Sequence, residues 1–581
     1  MVFTVVARDI RAIARRQIKL PKFSDSTLVY CVSCGFAAPD RIGNRKNIIF
    51  CPPKSILGRS GRRTTESYCI LAESSLSNFI ATPGVTLNIV YLTTESVPFA
   101  KTGGLADVCG TLPSVVASAG HQCSVIMPAF DSIRRAGIPI ERTDISFAID
   151  MPGDRIVGGR VLKSTLPAGN VPVYFIDQPM YYSRPYLYGD KHGDYRDNAE
   201  RFIFYSRAAI EVMKRLGKRV DLIQCNDWQS AIVPALIQSG CGGLPVDTPT
   251  VLSIHNLAYQ GSFSAEAFPL TGLPWDEFRS ESFEFYGGMN FLKTGIVSAD
   301  HVCTVSPTYA REIKTPVHGC GLDPILRSLG DRVSGIINGI DTEIWNPAKD
   351  VHVVRNYDVE TWESGKLENK LSLQAEMGLP SDPDVPLIGL VGRLAEQKGW
   401  DLILPVMREH LREGRPTQWA VLGSGDPVIE SELQWLKEEH PDQIAAHIGF
   451  SDPLAHRIEA SSDLFLMPSR YEPCGLNQLY SLRYGTVCIV TATGGLADTI
   501  VDTTEETINN GTATGFHLRS YDAASLDRAI GDALRLRFHE KEIWKKIVNQ
   551  GMTRDWSWRK SAFQYIDLYA RTISLKRRVG K

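Results

Sequence analysis

From residue 87 onward the chain repeats one pattern: a short apolar run rich in β-branched residues, a polar or glycine-rich turn, then an amphipathic helix. LNIVYLTTE (87–95), HQCSVIMP (121–128), VPVYFID (171–177), DLIQCND (221–227), TVLSIHN (250–256) and HVCTVS (301–306) are such runs, and AERFIFYSRAAIEVMKRLG (199–217) is a helix between two of them. Continuous apolar strands alternating with helices predict a parallel sheet covered on both faces. After NGIDTEIWNP (338–347) the pattern lapses into a polar stretch with little strand character. It restarts with PLIGLVGR (386–393), QWAVLGSG (418–425), IAAHIGF (444–450), DLFLMPS (463–469) and TVCIVTATGG (486–495). The predicted fold class is α/β, with two doubly wound units joined near residues 345–385.

In such sheets ligands sit outside the carboxyl ends of the strands. One phrase occupies that position twice: TGGLAD at 102–107 and again at 493–498. A glycine pair there frees the backbone for a tight loop and lets it approach a ligand closely. The repeat predicts one device used once per unit, both copies pointing into a shared cleft.

Bulk properties narrow the class. A chain of 581 residues is too long for one core. Its net charge of −2 leaves no basic excess for nucleic acid, and no run of eighteen apolar residues spans a membrane. The twelve cysteines are scattered, and the CxxC formed by Cys31 and Cys34 has no second pair at zinc spacing, so they read as thiols of a reduced, intracellular protein.

Residues 1–84 stand apart, with 13 Lys and Arg against 5 Asp and Glu. Arg8, Arg11, Arg15 and Lys19 share one helical face opposite Val6, Ile10, Ile13 and Leu20. The stretch reads as an organelle presequence, an over-extended start or a disordered leader. All three readings make it dispensable for catalysis. A chain beginning at Thr86 is therefore expected to keep the turnover of the full chain; a large loss with folding intact contradicts this.

Candidate chemistry gathers at strand ends. Arg393 and Lys398 place two cations on one loop after a strand. Glu95, Asp227 and His255 stand at or just beyond strand ends, where a buried polar group without a partner is costly. The stretches KTGGLADV, CNDW, HNLAYQG, TVSPTYARE, NGID, VGRLAEQKG, LGSGDP, PSRYEPCGL and TGGLAD, in this order over nearly the whole of residues 87–575, resemble the bacterial-type glycogen synthases, a family that includes plant starch synthases.

That resemblance implies two facing Rossmann-like domains with a cleft between them, the B-type glycosyltransferase architecture. It also implies transfer of glucose from ADP-glucose to the non-reducing end of an α-1,4-glucan, with retention and with no metal ion or cofactor. The expected organisation is a leader over 1–84, a first domain over 85–345, a linker over 346–384, a second, donor-binding domain over 385–555, and a C-terminal helix over 556–581 that packs back on the first.

By the same resemblance Arg393 and Lys398 hold the donor phosphates. A helix beginning near Gly475 and Leu476 would present free N–H groups to the diphosphate, with Gly494, Gly495 and Leu496 adding more. Lys101, Gly103 and Gly104 would lie across the cleft. Glu95, Asp227 and His255 would line the glucose pocket, and Glu472 would hold glucose hydroxyls and offset positive charge at the anomeric carbon. Two positions depart from the family pattern: Gln229 where His is frequent, and Asn477 where Thr is common. Ala106 is closer to bacterial members, which favours a bacterial cytoplasm over a plastid.

Rival readings fit less well. Asp382-Pro383-Asp384 precedes its strand and reads as a turn, so a metal-dependent transferase lacks its strand-end Asp-x-Asp. GSGDPV (423–428) lacks the third glycine of a nicotinamide fingerprint. A sugar-nucleotide epimerase would not account for KTGGL, and a non-catalytic glucan-binding relative should have lost Lys101, Arg393, Lys398 and Glu472.

Overall fold

The apolar runs of the first half become strands of a nine-stranded sheet. In chain order they are β1 (Asn88–Leu92), β2 (Gln122–Pro128), β3 (Glu141–Met151), β4 (Arg155–Thr165), β5 (Pro172–Asp177), β6 (Leu222–Asn226), β7 (Thr250–Ile254), β8 (His301–Thr304) and β9 (Val333–Gly335). The computed structural model describes residues 86–190 and 192–579, so the leader lies outside the described residues. The order across the sheet is β9-β8-β7-β6-β1-β2-β5-β4-β3. All neighbours are parallel except the last two pairs, in which β4 runs antiparallel to β5 and β3 to β4.

The second half forms a six-stranded, wholly parallel sheet: β10 (Leu387–Val391), β11 (Gln418–Gly423), β12 (Ile444–Ile448), β13 (Leu464–Met467), β14 (Val487–Val490) and β15 (Gly515–His517), in the order β12-β11-β10-β13-β14-β15. Each sheet reverses its winding once. The first does so between β1 and β6, the second between β10 and β13. Loops leaving the two central strands part at these points and open a crevice. Thr93–Glu95 and Asp227 leave the first; Gly392, Arg393 and the segment through Glu472 leave the second.

Each domain buries its own core, and the chain crosses back at its end. Helix Trp558–Val579 inserts Tyr565, Ile566, Tyr569 and Ile573 into the apolar cluster of the first domain. Tyr569 bonds Gln224 of β6, Lys576 pairs with Asp300 at 2.7 Å, and Ser561 donates to the Ile337 carbonyl at 2.6 Å. Among the described residues no helix is long and apolar enough to cross a membrane.

Two segments differ from the sequence reading. The polar stretch expected as a linker carries a sixteen-residue helix, Trp362–Met377, packed on the second domain. Its inward face is written in polar residues. Buried Lys366 donates to the Ala460 carbonyl at 3.1 Å and to Thr486 Oγ1 at 2.6 Å, and Lys370 pairs with Asp463 at 2.9 Å. The helix expected near Gly475 starts two residues later, as Asn477–Tyr484, because Gly475 is left-handed (φ 72°) and Leu476 caps.

Candidate active site

The first-domain crevice is organised by buried carboxylates. Glu95, just past β1, is 4% exposed. Its Oε2 accepts from the backbone N–H groups of Thr102 (2.5 Å) and Gly103 (3.1 Å). Its Oε1 accepts from Thr102 Oγ1 (2.6 Å) and the Tyr188 hydroxyl (2.8 Å). Both oxygens are thus committed to the first TGGLAD loop, and Glu95 acts as its brace. Tyr188, which the sequence reading did not single out, completes the brace.

Asp227 opens the short helix after β6 in a left-handed conformation (φ 52°). A non-glycine residue there costs of order 1–3 kcal/mol, and such strain clusters at functional sites. Its Oδ1 accepts from the His255 backbone N–H at 2.7 Å. Burial pushes the Asp227 carboxyl up to about 7; backbone donors from His255 and Asn256 oppose the rise and the Glu95 charge adds to it. The His255 ring sits beside Asn226 Oδ1 (3.2 Å from Nε2) and Ser253 Oγ (3.3 Å). Burial lowers its pKa to about 4, so the imidazole is neutral at pH 7. Gln229, at the departure from the family pattern, is buried, and among the described residues its Oε1 has no partner.

Lys101 is exposed and pairs with Asp107 at 2.8 Å. Asp107 faces the second domain as well: burial raises its carboxyl pKa, Lys101 pulls it down, and the Asp452 charge adds to the rise. Gly103 has open space where a side chain would stand, and a Cβ on Gly104 would lie 3.6 Å from Leu476 Cδ1. The KTGG loop and the Gly475–Leu476 loop therefore meet across the cleft, bringing two predicted groups together.

The second-domain crevice holds the cations. Arg393 leaves β10 exposed, its Nη2 donating to Gln397 at 2.6 Å. Lys398 Nζ lies 2.6 Å from Glu472 Oε2, which also accepts from Ser469 Oγ at 3.0 Å. Glu472 is 6% exposed, and its Oε1 makes no hydrogen bond among the described residues. A predicted phosphate cation and the predicted sugar-binding acid are one ion pair. Asn477 Nδ2, at a position that departs from the family pattern, donates to the Val391 carbonyl at 2.7 Å and ties the two strand-end loops together.

The second TGGLAD differs from the expectation. Its Gly494 N–H goes to the Glu312 carboxylate (3.1 Å to each oxygen), that of Gly495 to the Glu472 carbonyl (3.0 Å) and that of Leu496 to the Thr493 carbonyl (3.0 Å). None of the three is free to meet a diphosphate. Gly494 is left-handed (φ 45°), and a Cβ there would come 2.0 Å from the Glu472 carbonyl oxygen. Glycine is needed for the 472–474 backbone to pass. Both copies start a helix, at Gly104 and at Gly494, yet the first lines the cleft and the second supports the acid loop.

The second copy also fastens the domains. Its Asp498 accepts from Ser306 Oγ (2.5 Å), Thr308 N–H (2.9 Å) and Thr308 Oγ1 (2.6 Å), beside the Glu312 contact. These first-domain groups lie in the SPTYARE phrase, which carries the family resemblance but none of the site residues expected from the sequence. Their alternation of hydroxyl and acid at a helix start was the available signal.

Comparison with known proteins agrees with this geometry. Residues 88–328 match the family described as starch synthase catalytic domain, and residues 376–550 match glycosyl transferases group 1. The chain is 66% identical over 502 residues to a glycogen synthase of Rhodopirellula baltica, covering 85% of this chain and 99% of that protein. It is 42% identical over 493 residues to glycogen synthase 2 of Geobacter sulfurreducens, covering 84% and 100%. Among solved structures it is similar to the catalytic domain of starch synthase IV from Arabidopsis thaliana bound to ADP and acarbose, with a TM-score of 0.78 and 32% identity over 84% of this chain and 100% of that one. The chain belongs to the glycogen and starch synthase family of glycosyltransferases.

Proposed function

We propose that this protein transfers glucose from ADP-glucose to the non-reducing end of an α-1,4-glucan with retention, elongating glycogen. The observation that carries the reading is the Lys398–Glu472 pair at the winding reversal of the second sheet, in a cleft closed at Gly104 and Leu476. Negative charge builds on the leaving diphosphate, and preorganised cations in a dry cleft stabilise it. Arg393 and Lys398 supply that charge, with Lys101 reaching from the opposite loop. Glu472 keeps one oxygen on Lys398 and has the other for the sugar. Asp227 takes a glucose hydroxyl, His255 lies against the glucosyl group as a neutral donor or acceptor, and Glu95 positions the loop with Gly103 and Gly104. Gly475, Leu476, Gly494, Gly495 and Leu496 shape the acid loop. The bacterial relatives favour a cytoplasmic setting.

The donor assignment is tested by comparing kcat/KM for ADP-glucose and UDP-glucose on glycogen, with EDTA present throughout. ADP-glucose is expected to be preferred and EDTA to leave turnover intact. Preference for UDP-glucose, or a requirement for added Mg²⁺ or Mn²⁺, contradicts the reading.

The carboxyl of Asp227 gives a pH signature. Its ionised form accepts a sugar hydroxyl, and ionisation is delayed to about pH 7. Hence kcat/KM rises with pH through about 7, and His255, with its pKa near 4, adds no limb between 5 and 8. Asp227→Asn should remove the limb and lower the plateau; an unchanged profile contradicts the assignment.

A further inference from the structure

Beside the catalytic cleft, and sharing no residue with the groups assigned to it, three side chains converge where the segment after the first domain lies on the second. Asp452 begins helix Asp452–Ser461, His456 follows one turn later, and His352 comes from the crossing segment. One ligand atom from each lies within 4.8 Å of the others. We propose that His352, Asp452 and His456 bind one divalent transition-metal ion of the zinc class.

His456 anchors the site. It is fully buried, and its Nδ1 lies 2.7 Å from Asp350 Oδ2. A carboxylate on Nδ1 keeps the proton there and leaves the lone pair on Nε2, the arrangement that orients a metal-ligating imidazole. Among the described residues that Nε2 is buried without a hydrogen-bond partner. Buried polar atoms are rarely left so. Asp452 Oδ2 stands 3.9 Å from it, too far for a hydrogen bond. Two ligands of a tetrahedral ion at ~2.0–2.1 Å stand about 3.3 Å apart, so a small side-chain rotation closes the gap.

The imidazole cannot easily turn elsewhere. Trp345 stacks on it at 3.8 Å with a 9° tilt, and His352 meets it edge-on at 4.9 Å. Asp350 also binds the Tyr484 hydroxyl and the His352 backbone N–H. Two imidazole nitrogens and one carboxylate oxygen suit zinc and its neighbours, whereas Mg²⁺ and Ca²⁺ prefer oxygen sets. Asp452 is exposed, which leaves an entry path and a fourth position for water.

A bound ion would pin the crossing segment to the second domain. Trp345 also stacks on Tyr480 at 3.7 Å, so the pin reaches helix Asn477–Tyr484 behind the acid loop. The proposal does not depend on the donor or acceptor identity.

The test uses the full chain carrying Cys31→Ser and Cys34→Ser, which removes the CxxC pair as a competing zinc ligand. After EDTA treatment and dialysis, Zn²⁺ is titrated, and bound metal and the melting temperature are measured. One zinc per chain and a raised melting temperature are expected. His352→Ala and Asp452→Asn, both in reach of solvent, should each weaken binding at least about tenfold, since loss of even an outer supporting group costs 10–100-fold. Their melting temperatures without zinc, matching the parent, establish that they fold. Uptake of no zinc by the parent, or equal affinity and stoichiometry in parent and variants, overturns the proposal.

Discussion

Glu472→Gln is expected to lower kcat by about 10²–10³, roughly 3–4 kcal/mol, while the dissociation constant for ADP changes by less than about threefold. The substitution keeps the size of the side chain and most of its hydrogen bonding, Ser469 included, and removes only the charge. A carboxylate with one oxygen tied to Lys398 and the other unpaired can stabilise an oxocarbenium-like centre; an amide cannot. Loss of the charge also frees Lys398 from a competing anion, so its hold on a phosphate is kept. Glu472→Asp should be poor too, because the carboxylate retreats by one methylene from a site that needs sub-ångström placement. Near-normal kcat in the Gln variant would reduce Glu472 to a loop residue, and lost ADP binding would make it an organiser of the phosphate loop.

Lys398→Ala is expected to be at least as damaging, but in both parameters. It removes a cation proposed for the donor phosphates and leaves the buried Glu472 without its ion-pair partner. Truncating one member of a buried, hydrogen-bonded charge pair costs about 2–5 kcal/mol. The partly exposed Lys398 side chain, at 26%, places the stability share at the low end. The loss in kcat/KM for the donor should reach about 10²–10³, with weakened ADP affinity. Arg393→Ala offers the contrast. Among the described residues its guanidinium is exposed and bonded only to Gln397, so ADP affinity should fall while Glu472 keeps its partner. The double variant Lys398→Ala with Glu472→Gln separates the two contributions. If the pair works as a unit, the double variant is less impaired than the sum of the singles. Strict additivity would show that Lys398 and Glu472 act independently.

The parallel strands were legible because a strand buried on both faces is apolar throughout, as in β1 and β6. The hairpin β3–β4 was not: Glu141–Met151 alternates exposed and buried positions, so it presents no continuous run. The helix Trp362–Met377 was hidden for a different reason. It buries Lys366, Lys370 and Gln374, which bond carbonyls, hydroxyls and Asp463 in the second domain, and a sequence pattern reads such residues as solvent-facing.

At the site, the residue types stood out at strand ends, but their partners did not. Lys398 and Glu472 are 74 residues apart, and Glu312 and Gly494 are 182 apart. The repeated TGGLAD was read as one cleft loop per domain; each copy starts a helix, but only the first lines the cleft. Its two environments differ because the first copy is braced by Glu95 from behind, leaving Gly103 open. The second is occupied from in front by Glu312 of the other domain.

Transfer between two substrates held in one cleft is tested most directly by ADP release from ADP-glucose, measured with and without glycogen and paired with label incorporation into polymer. ADP release should depend on glycogen and match, mole for mole, the glucose added to non-reducing ends. Release that is indifferent to glycogen, or glycogen-stimulated release with no glucose in the polymer, would contradict it.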